Sequence, residues 1–364
     1  MRKFIIIFLV SVAGLAVWAF IGLYYIFEIH CKGRLSDCYR SFTQQPTQRD
    51  PFLDHRWTLR QFAASSQAAA FSVVIENKAA VVFVDLASER ARLIYDSEAN
   101  YWHPYLSEDG NRIVLVRTSR DNSSEMLSCK IATWQCQVVL RSNDAIRSPI
   151  EVDPETILYA SSPPFKSHDG RVRYLTFDLH LARRGQAATR LSFLEFRRME
   201  RLSLSRDAIL FSGEPEWRTI RTVEDYSPPR RSHVYVLAFD RAAEKINIPQ
   251  LPLVPVFAPT EQLGTSEFAT IFPDGSAAVV VVGRAELRVM NLQRQITLRY
   301  QGIGDAVSPA VFAGKDVIFG ELYFNRYAVK RLNLLQESSQ EIAAFNHSQE
   351  ALQSLEKIIL TIEK

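Results

Sequence analysis

Five stretches of this chain repeat one pattern: an apolar strand, a turn built from Asp, Gly or Pro, and then a solid apolar run. They start at His103, Ser148, Arg201, Thr270 and Ser308, and the runs that follow read RIVLV, TILYA, AILFS, AAVVVV and VIFG. Weaker copies flank the array, near residues 62–67 and at the tail. Asp-Gly turns need a backbone that glycine adopts without strain. The runs are rich in β-branched and aromatic residues, and long helical periods are nearly absent. A strand that is apolar all along its length must be covered on both faces. One four-stranded unit cannot do this for itself, but units packed radially cover one another. A β-sandwich with regular turns is the competing architecture, and five phased copies favour the ring.

Within the clearest copy, Pro104, Ser107, Asp109, Gly110 and Arg112 followed by Ile-Val set out a Pro-x-x-Ser-x-Asp-Gly-x-Arg-Ile-Val turn. This resembles the repeat of TolB-type propellers, over roughly residues 60–345. Glu108 stands where that family's turn usually has Pro, and the copies at Asp207 and Asp316 lack the Gly. The resemblance implies an all-β fold, a six- or seven-bladed β-propeller, and an interaction surface. It does not imply one function. The propeller is expected to span residues 57–346.

Residues 4–27 hold 24 residues without a charge. A membrane-spanning helix needs ~20 apolar residues, and a cleaved signal core is usually only ~7–15 long. No small-x-small cleavage site follows, and His30 precedes Cys31 where a lipoprotein would carry a small residue. Residues 1–28 therefore read as a cytoplasmic stub and one N-terminal transmembrane helix, an uncleaved signal-anchor, with Trp18, Tyr24 and Tyr25 suited to the far interface. Arg2 and Lys3 favour a cytoplasmic N-terminus, although Lys32, Arg34 and Arg40 beyond the helix weaken that rule. Residues 29–56, polar and holding Pro46 and Pro51, read as a stalk.

The four cysteines form two local pairs, Cys31 with Cys38 and Cys129 with Cys136, each with six residues between partners. Facing positions of a hairpin lie near disulfide range. Two disulfides are expected, and so an oxidising compartment: a single-pass membrane protein with its C-terminal domain in the periplasm of a bacterial inner membrane, or in a lumen. No metal-ligand spacing occurs, and neither a metal nor a cofactor is expected.

The tail, residues 347–364, reads either as a helix capped by Ser348, with Leu352, Leu355, Ile359 and Ile362 on one face, or as a closing strand. Four long insertions, 117–124, 161–170, 214–231 and 249–259, fall on the ring face that also carries the links between blades. Long loops in compact domains are often functional. Phe165, Trp217, Arg218, Arg221, Tyr226, Arg230, Arg231 and Phe257 are the candidate binding residues there, because aromatic and Arg side chains make good anchors for a protein or glycan. The paired arginines between Lys166 and Arg231, interleaved with Glu195, Glu200, Glu214 and Glu216, read as a solvated mixed face, or as a surface for an anionic glycan or lipid headgroup.

No Gly-x-Ser-x-Gly elbow, His-Glu-x-x-His, Cys-x-x-Cys, P-loop or Asp-x-Asp occurs. No catalytic residue is assigned, and His103 reads as part of a structural turn. With 43 basic and 40 acidic residues the net charge is +3, which gives no global nucleic-acid signature. The function expected is a membrane-anchored module that binds a protein or an envelope polymer. A propeller-type glycan lyase or hydrolase, its site assembled from separate blades, is the alternative.

Overall fold

A computed structural model describes residues 61–363, except 120–122, 167–171, 175, 215–232, 249–252, 254–255, 257–265, 284–285, 292–294, 305, 309–310, 314–315, 324–325 and 347. The described chain forms six blades of antiparallel strands in sequence order, a six-bladed β-propeller, with one further two-stranded sheet. Blade 1 is β1 (Phe62–Ala64), β2 (Ala68–Ile75), β3 (Lys78–Asp85) and β4 (Arg90–Ile94). Blade 2 is β5 (Ala99–Leu106), β6 (Arg112–Ser119), β7 (Ser124–Lys130) and β8 (Gln135–Ser142). Blade 3 starts with β9 (Ala145–Asp153) and β10 (Thr156–Ser162). It then projects a small hairpin, β11 (Phe165–Lys166) with β12 (Val172–Arg173), and ends with β13 (Asp178–Arg183) and β14 (Thr189–Arg190). Blade 4 is β15 (Arg198–Leu204), β16 (Ala208–Glu214), β17 (His233–Asp240) and β18 (Lys245–Asn247). Blade 5 is β19 (Ser266–Ile271), β20 (Ala277–Val282), β21 (Glu286–Asn291) and β22 (Ile296–Gln301). In blade 6 the inner position is shared by β23 (Ala306–Val307) and β24 (Val311–Ala313), both paired with β25 (Asp316–Leu322); β26 (Arg326–Asn333) and β27 (Ser338–Asn346) complete it.

The apolar runs are the second strands, and their alternation explains the ring. Along β2, Ala69, Phe71, Val73 and Ile75 pack toward blade 6, while Ala68 and Ala70 pack toward blade 2. In β16, Ile209 and Phe211 face blade 3 and Leu210 faces blade 5. This is the two-residue period of a strand, with both faces apolar because each belongs to a different interface. One buried cluster fills each junction between neighbouring blades.

The repeated turns owe their shape to short polar side chains. In blade 2, Ser107 Oγ accepts from Arg112 N at 2.9 Å and donates to Asp109 Oδ1 at 2.5 Å. Gly110 sits at φ 69°. Blade 4 lacks the glycine and keeps the serine: Ala208 N donates to Ser205 Oγ at 3.1 Å. The weak copy at 62–67 is the first inner strand and its turn, where Ser65 Oγ accepts from Ala68 N at 3.2 Å.

Among the described residues the inner-to-outer strands of each blade come from one continuous segment. Blades 6 and 1 are held by packing, chiefly Tyr327 stacked on Phe71 at 4.2 Å, with Phe345 5.5 Å from Phe71. The tail adds a clasp. It is a five-residue helix, α1 (Gln349–Gln353), then β28 (Glu356–Ile358) and β29 (Thr361–Glu363). Ser348 caps α1 by accepting from Ala351 N. The long helical face read from the sequence does not form, because the apolar residues serve different partners. Leu352 is buried against blades 1 and 6, Ile358 is buried between blades 1 and 2, and Ile359 is 83% exposed. β28 joins the outer edge of blade 1 beside β4, and β29 joins that of blade 2 beside β8, both in parallel. The tail therefore straps two outer edges and does not complete a blade.

Cys129 and Cys136 face each other across the β7–β8 hairpin and form a disulfide. Cys31 and Cys38 lie outside the described residues, as do residues 4–27 and the stalk. Among the described residues no helix is long and apolar enough to cross a membrane.

Candidate functional site

Strand direction sorts the loops. In every blade the connection from second to third strand emerges at the same end of the ring as the links between blades. This end carries the long insertions. Of the binding residues expected there, Phe165 is described: it lies on β11, is 55% exposed, and pairs with Arg173 of β12. Val172, opposite Lys166, is 48% exposed. Trp217, Arg218, Arg221, Tyr226, Arg230, Arg231 and Phe257 lie outside the described residues.

The same end exposes two apolar residues that sequence reading missed, both on links between blades. Phe193, between blades 3 and 4, is 65% exposed and has the Arg190 guanidinium 4.2 Å above its ring. Ile303, between blades 5 and 6, is 83% exposed. The Phe193 link is fixed from below. Buried Asp178 accepts from Leu194 N, Glu195 N, Ser192 Oγ and Arg190 Nη2, at 2.5, 3.1, 3.0 and 2.5 Å. Beside it, Phe177 and Phe196 exchange backbone hydrogen bonds of 2.7 and 3.0 Å.

The arginine-rich stretch is solvated only in part where it is described: Arg184 and Arg190 are exposed, while others are buried in pairs. Arg197 and Glu214 are both buried and paired at 3.3 Å. Glu200, also buried, takes Arg147 at 3.2 Å and Arg198 at 3.7 Å. A buried carboxylate needs a cation beside it: Glu200 takes one from blade 3 across the junction, and Glu214 takes one from its own blade.

The inner strands hold a second group of residues. β5, β9 and β15 each carry a bulge at one repeat position, and the residue there takes a left-handed φ: His103 at 49°, Ser148 at 47° and Arg201 at 54°. None is glycine, so each bears a conformational cost that its surroundings must offset. They are linked blade to blade. Arg201 N donates to Ser148 Oγ at 2.8 Å, and His103 N donates to Gln61 Oε1 at 2.8 Å, just ahead of β1. The Arg201 guanidinium reaches the Phe62 carbonyl. Blades 4 and 1 are opposite in a ring of six, so this side chain lies across the central channel. Arg147, one residue before Ser148, stacks on the Phe177 ring at 4.3 Å. Burial, and then the Arg147 charge, lower the His103 pKa to about 3, so its imidazole is neutral. Burial lowers that of Arg201 to about 10. His103 is thus part of the channel wall as well as of the repeat. The only hint in the sequence was its place at the head of the clearest repeat.

Among the described residues no three His, Cys, Asp or Glu side chains gather in a way that could hold a metal ion. What the arrangement offers is an end with apolar projections and a set of polar residues on the inner strands.

These features define a six-bladed propeller, and the chain is similar in fold to solved structures. TolB from Acinetobacter baumannii superposes with a TM-score of 0.52 at 12% identity, over 76% of this chain and 63% of its own. The β-propeller domain of the trilobed protease from Pyrococcus furiosus superposes at 0.45, again at 12% identity, over 79% of this chain and 98% of its own. At such identity the likeness establishes the fold alone, and this chain spans less than two thirds of the TolB structure. No family model matches the chain, and neither does any curated protein.

Proposed function

We propose that this chain is a single-pass membrane protein, anchored by residues 4–27, whose propeller works outside the cytoplasm as a binding module for a protein or envelope-polymer partner. The observation that carries this reading is that Phe165, Val172, Phe193 and Ile303, all large and exposed, lie on connections at one end of the ring. Exposed apolar residues that share one end of a domain mark an interaction surface more often than scattered ones do. The Cys129–Cys136 disulfide supports an oxidising compartment. Trp217, Tyr226, Phe257 and the arginines at 218, 221, 230 and 231 belong to the same surface in this reading.

The test is affinity capture from solubilised membranes, with the full chain and with a variant carrying Phe165→Ser, Val172→Ser and Phe193→Ser. These side chains are exposed, so the variant folds. A partner retained by the parent and lost by the variant is the expected result. Equal capture by both would overturn the surface assignment. The second reading, a glycan-active propeller, draws on the polar channel group of His103, Arg147, Glu200 and Arg201. Shortening of an acidic oligosaccharide by the parent, abolished by His103→Asn, would favour it.

A further inference from the structure

The C-terminal strap crosses the outside of the junction that holds the Cys129–Cys136 disulfide. We propose that the strap guards this bond: docked, it keeps thiols from the sulfurs, and lifted, it opens the bond to reduction. The tail thereby sets whether the disulfide is inert or redox-sensitive, independently of what docks on the loop-bearing end of the ring.

Both cysteines are fully buried, in the cluster that fills the junction between blades 1 and 2. They sit on β7 and β8, the two outer strands of blade 2, so burial there needs cover from outside the ring. The strap supplies it. Ile358 of β28 is buried in the same cluster, and Leu360 and Ile362 pack against that cluster. Ile362 stands beside Cys136 where β29 pairs with β8. Thr361 N donates to the Trp134 carbonyl at 3.0 Å, in the turn that joins the two cysteines. Gln137 Nε2 donates to Glu363 Oε2 at 2.9 Å. The Trp134 ring stands edge-on to Phe83, with centroids 5.1 Å apart, and covers the junction from the turn.

This cover is lightly held. β28 and β29 each pair over three residues, and Ile358 is the one fully buried side chain from Glu356 to Glu363. Short elements with few buried contacts open locally at a lower free energy than the fold as a whole. Reduction needs access to one sulfur. A dithiol's thiolate attacks that sulfur, the Cys129–Cys136 bond breaks, and a mixed disulfide forms while the other cysteine leaves as a thiolate and takes a proton. The reagent's second thiol then displaces the first cysteine. Two electrons pass to the protein, which ends with two thiols, and the reagent ends as its own disulfide. With the strap in place the first attack has no open line to either sulfur, so the rate follows how often the strap lifts.

The test treats the full chain in detergent with excess dithiothreitol. Alkylation followed by mass analysis of the peptides that hold Cys129 and Cys136 reports this bond apart from Cys31 and Cys38. A chain ending at Ser354 keeps α1 and lacks β28 and β29. Its bond is expected to reduce at least about tenfold faster than the parent's, because attack no longer waits for the strap to lift. Should the shortened chain fail to fold, Ile358→Ser in the full chain takes its place. Ile359→Ser, at an exposed strap residue, is expected to match the parent. Amide exchange in β16 of blade 4 is followed in the same samples and is expected to keep the parent's rate. Equal reduction of parent and strap variants overturns the proposal, as does equal acceleration by Ile359→Ser. Acceleration matched by faster exchange in β16 marks opening of the whole propeller and overturns it too. The capture experiment above reports on Phe165, Val172 and Phe193, so either idea can fail alone.

Discussion

Acidification should unfold this propeller in part through His103. In the unfolded chain its imidazole takes a proton near pH 6.5, whereas in the fold the pKa is about 3. The folded pKa is depressed, so below pH 6.5 protons bind the unfolded state in preference. The stability at stake is intact above that pH and is lost as pH falls toward 3. At pH 5 the difference corresponds to about 1.5 decades of proton affinity, or about 2 kcal/mol at ~1.4 kcal/mol per unit. His103 is only half-buried by surface area, and the water that reaches it screens its charge, so about 1–2 kcal/mol is the working figure. His180, lowered to about 4 chiefly by burial, adds a similar slope. A single-site variant isolates the first contribution. His103→Asn removes the titration, and Asn tolerates the left-handed backbone at this position. The assay is denaturant unfolding at pH 7 and pH 5. The parent should lose about 1–2 kcal/mol more between the two pH values than His103→Asn does. Equal losses, or an NMR titration of His103 near 6.5, would refute the placement of this side chain beside Arg147 in the channel.

Three further outcomes follow from packing. Lys330→Met should destabilise the fold by about 3–5 kcal/mol, because it leaves Glu321, which is fully buried, without the ammonium 2.5 Å away. Adding Glu321→Leu should recover part of the loss in a thermal melt. Gly320→Ala should cost at least about 1–3 kcal/mol, since the new Cβ would run into the Tyr327 hydroxyl, and denaturant midpoints will show it. Ending the chain at residue 347 should speed amide exchange in β4 and β8 and lower the melting temperature. It uncovers both outer edges and removes buried Leu352 and Ile358.

The first strands, the serine- and glycine-bearing turns and the doubly buried second strands were legible in the sequence. The reason is that they rest on local chemistry: a two-residue period, β-branched runs, and Ser or Asp side chains bonding to their own turn. That much determined an all-β propeller. The number of blades was not local. Six or seven fitted the repeats, and six emerges because Phe71 of the first blade meets Tyr327 and Phe345 of the last, more than 250 residues apart. The tail carried an honest helical period, yet Leu352 and Ile358 are drawn to two different junctions, and outer-edge hydrogen bonds decide in favour of strand. The buried ion pairs were hidden because a cation and its carboxylate can be distant in sequence: Glu200 lies 53 residues from Arg147. His103, Ser148 and Arg201 were visible as the heads of repeats, but nothing in a linear pattern marks a bulge. Whether a repeat position turns its backbone left-handed and aims a side chain into a channel is settled by the strand beside it and the blade across the ring.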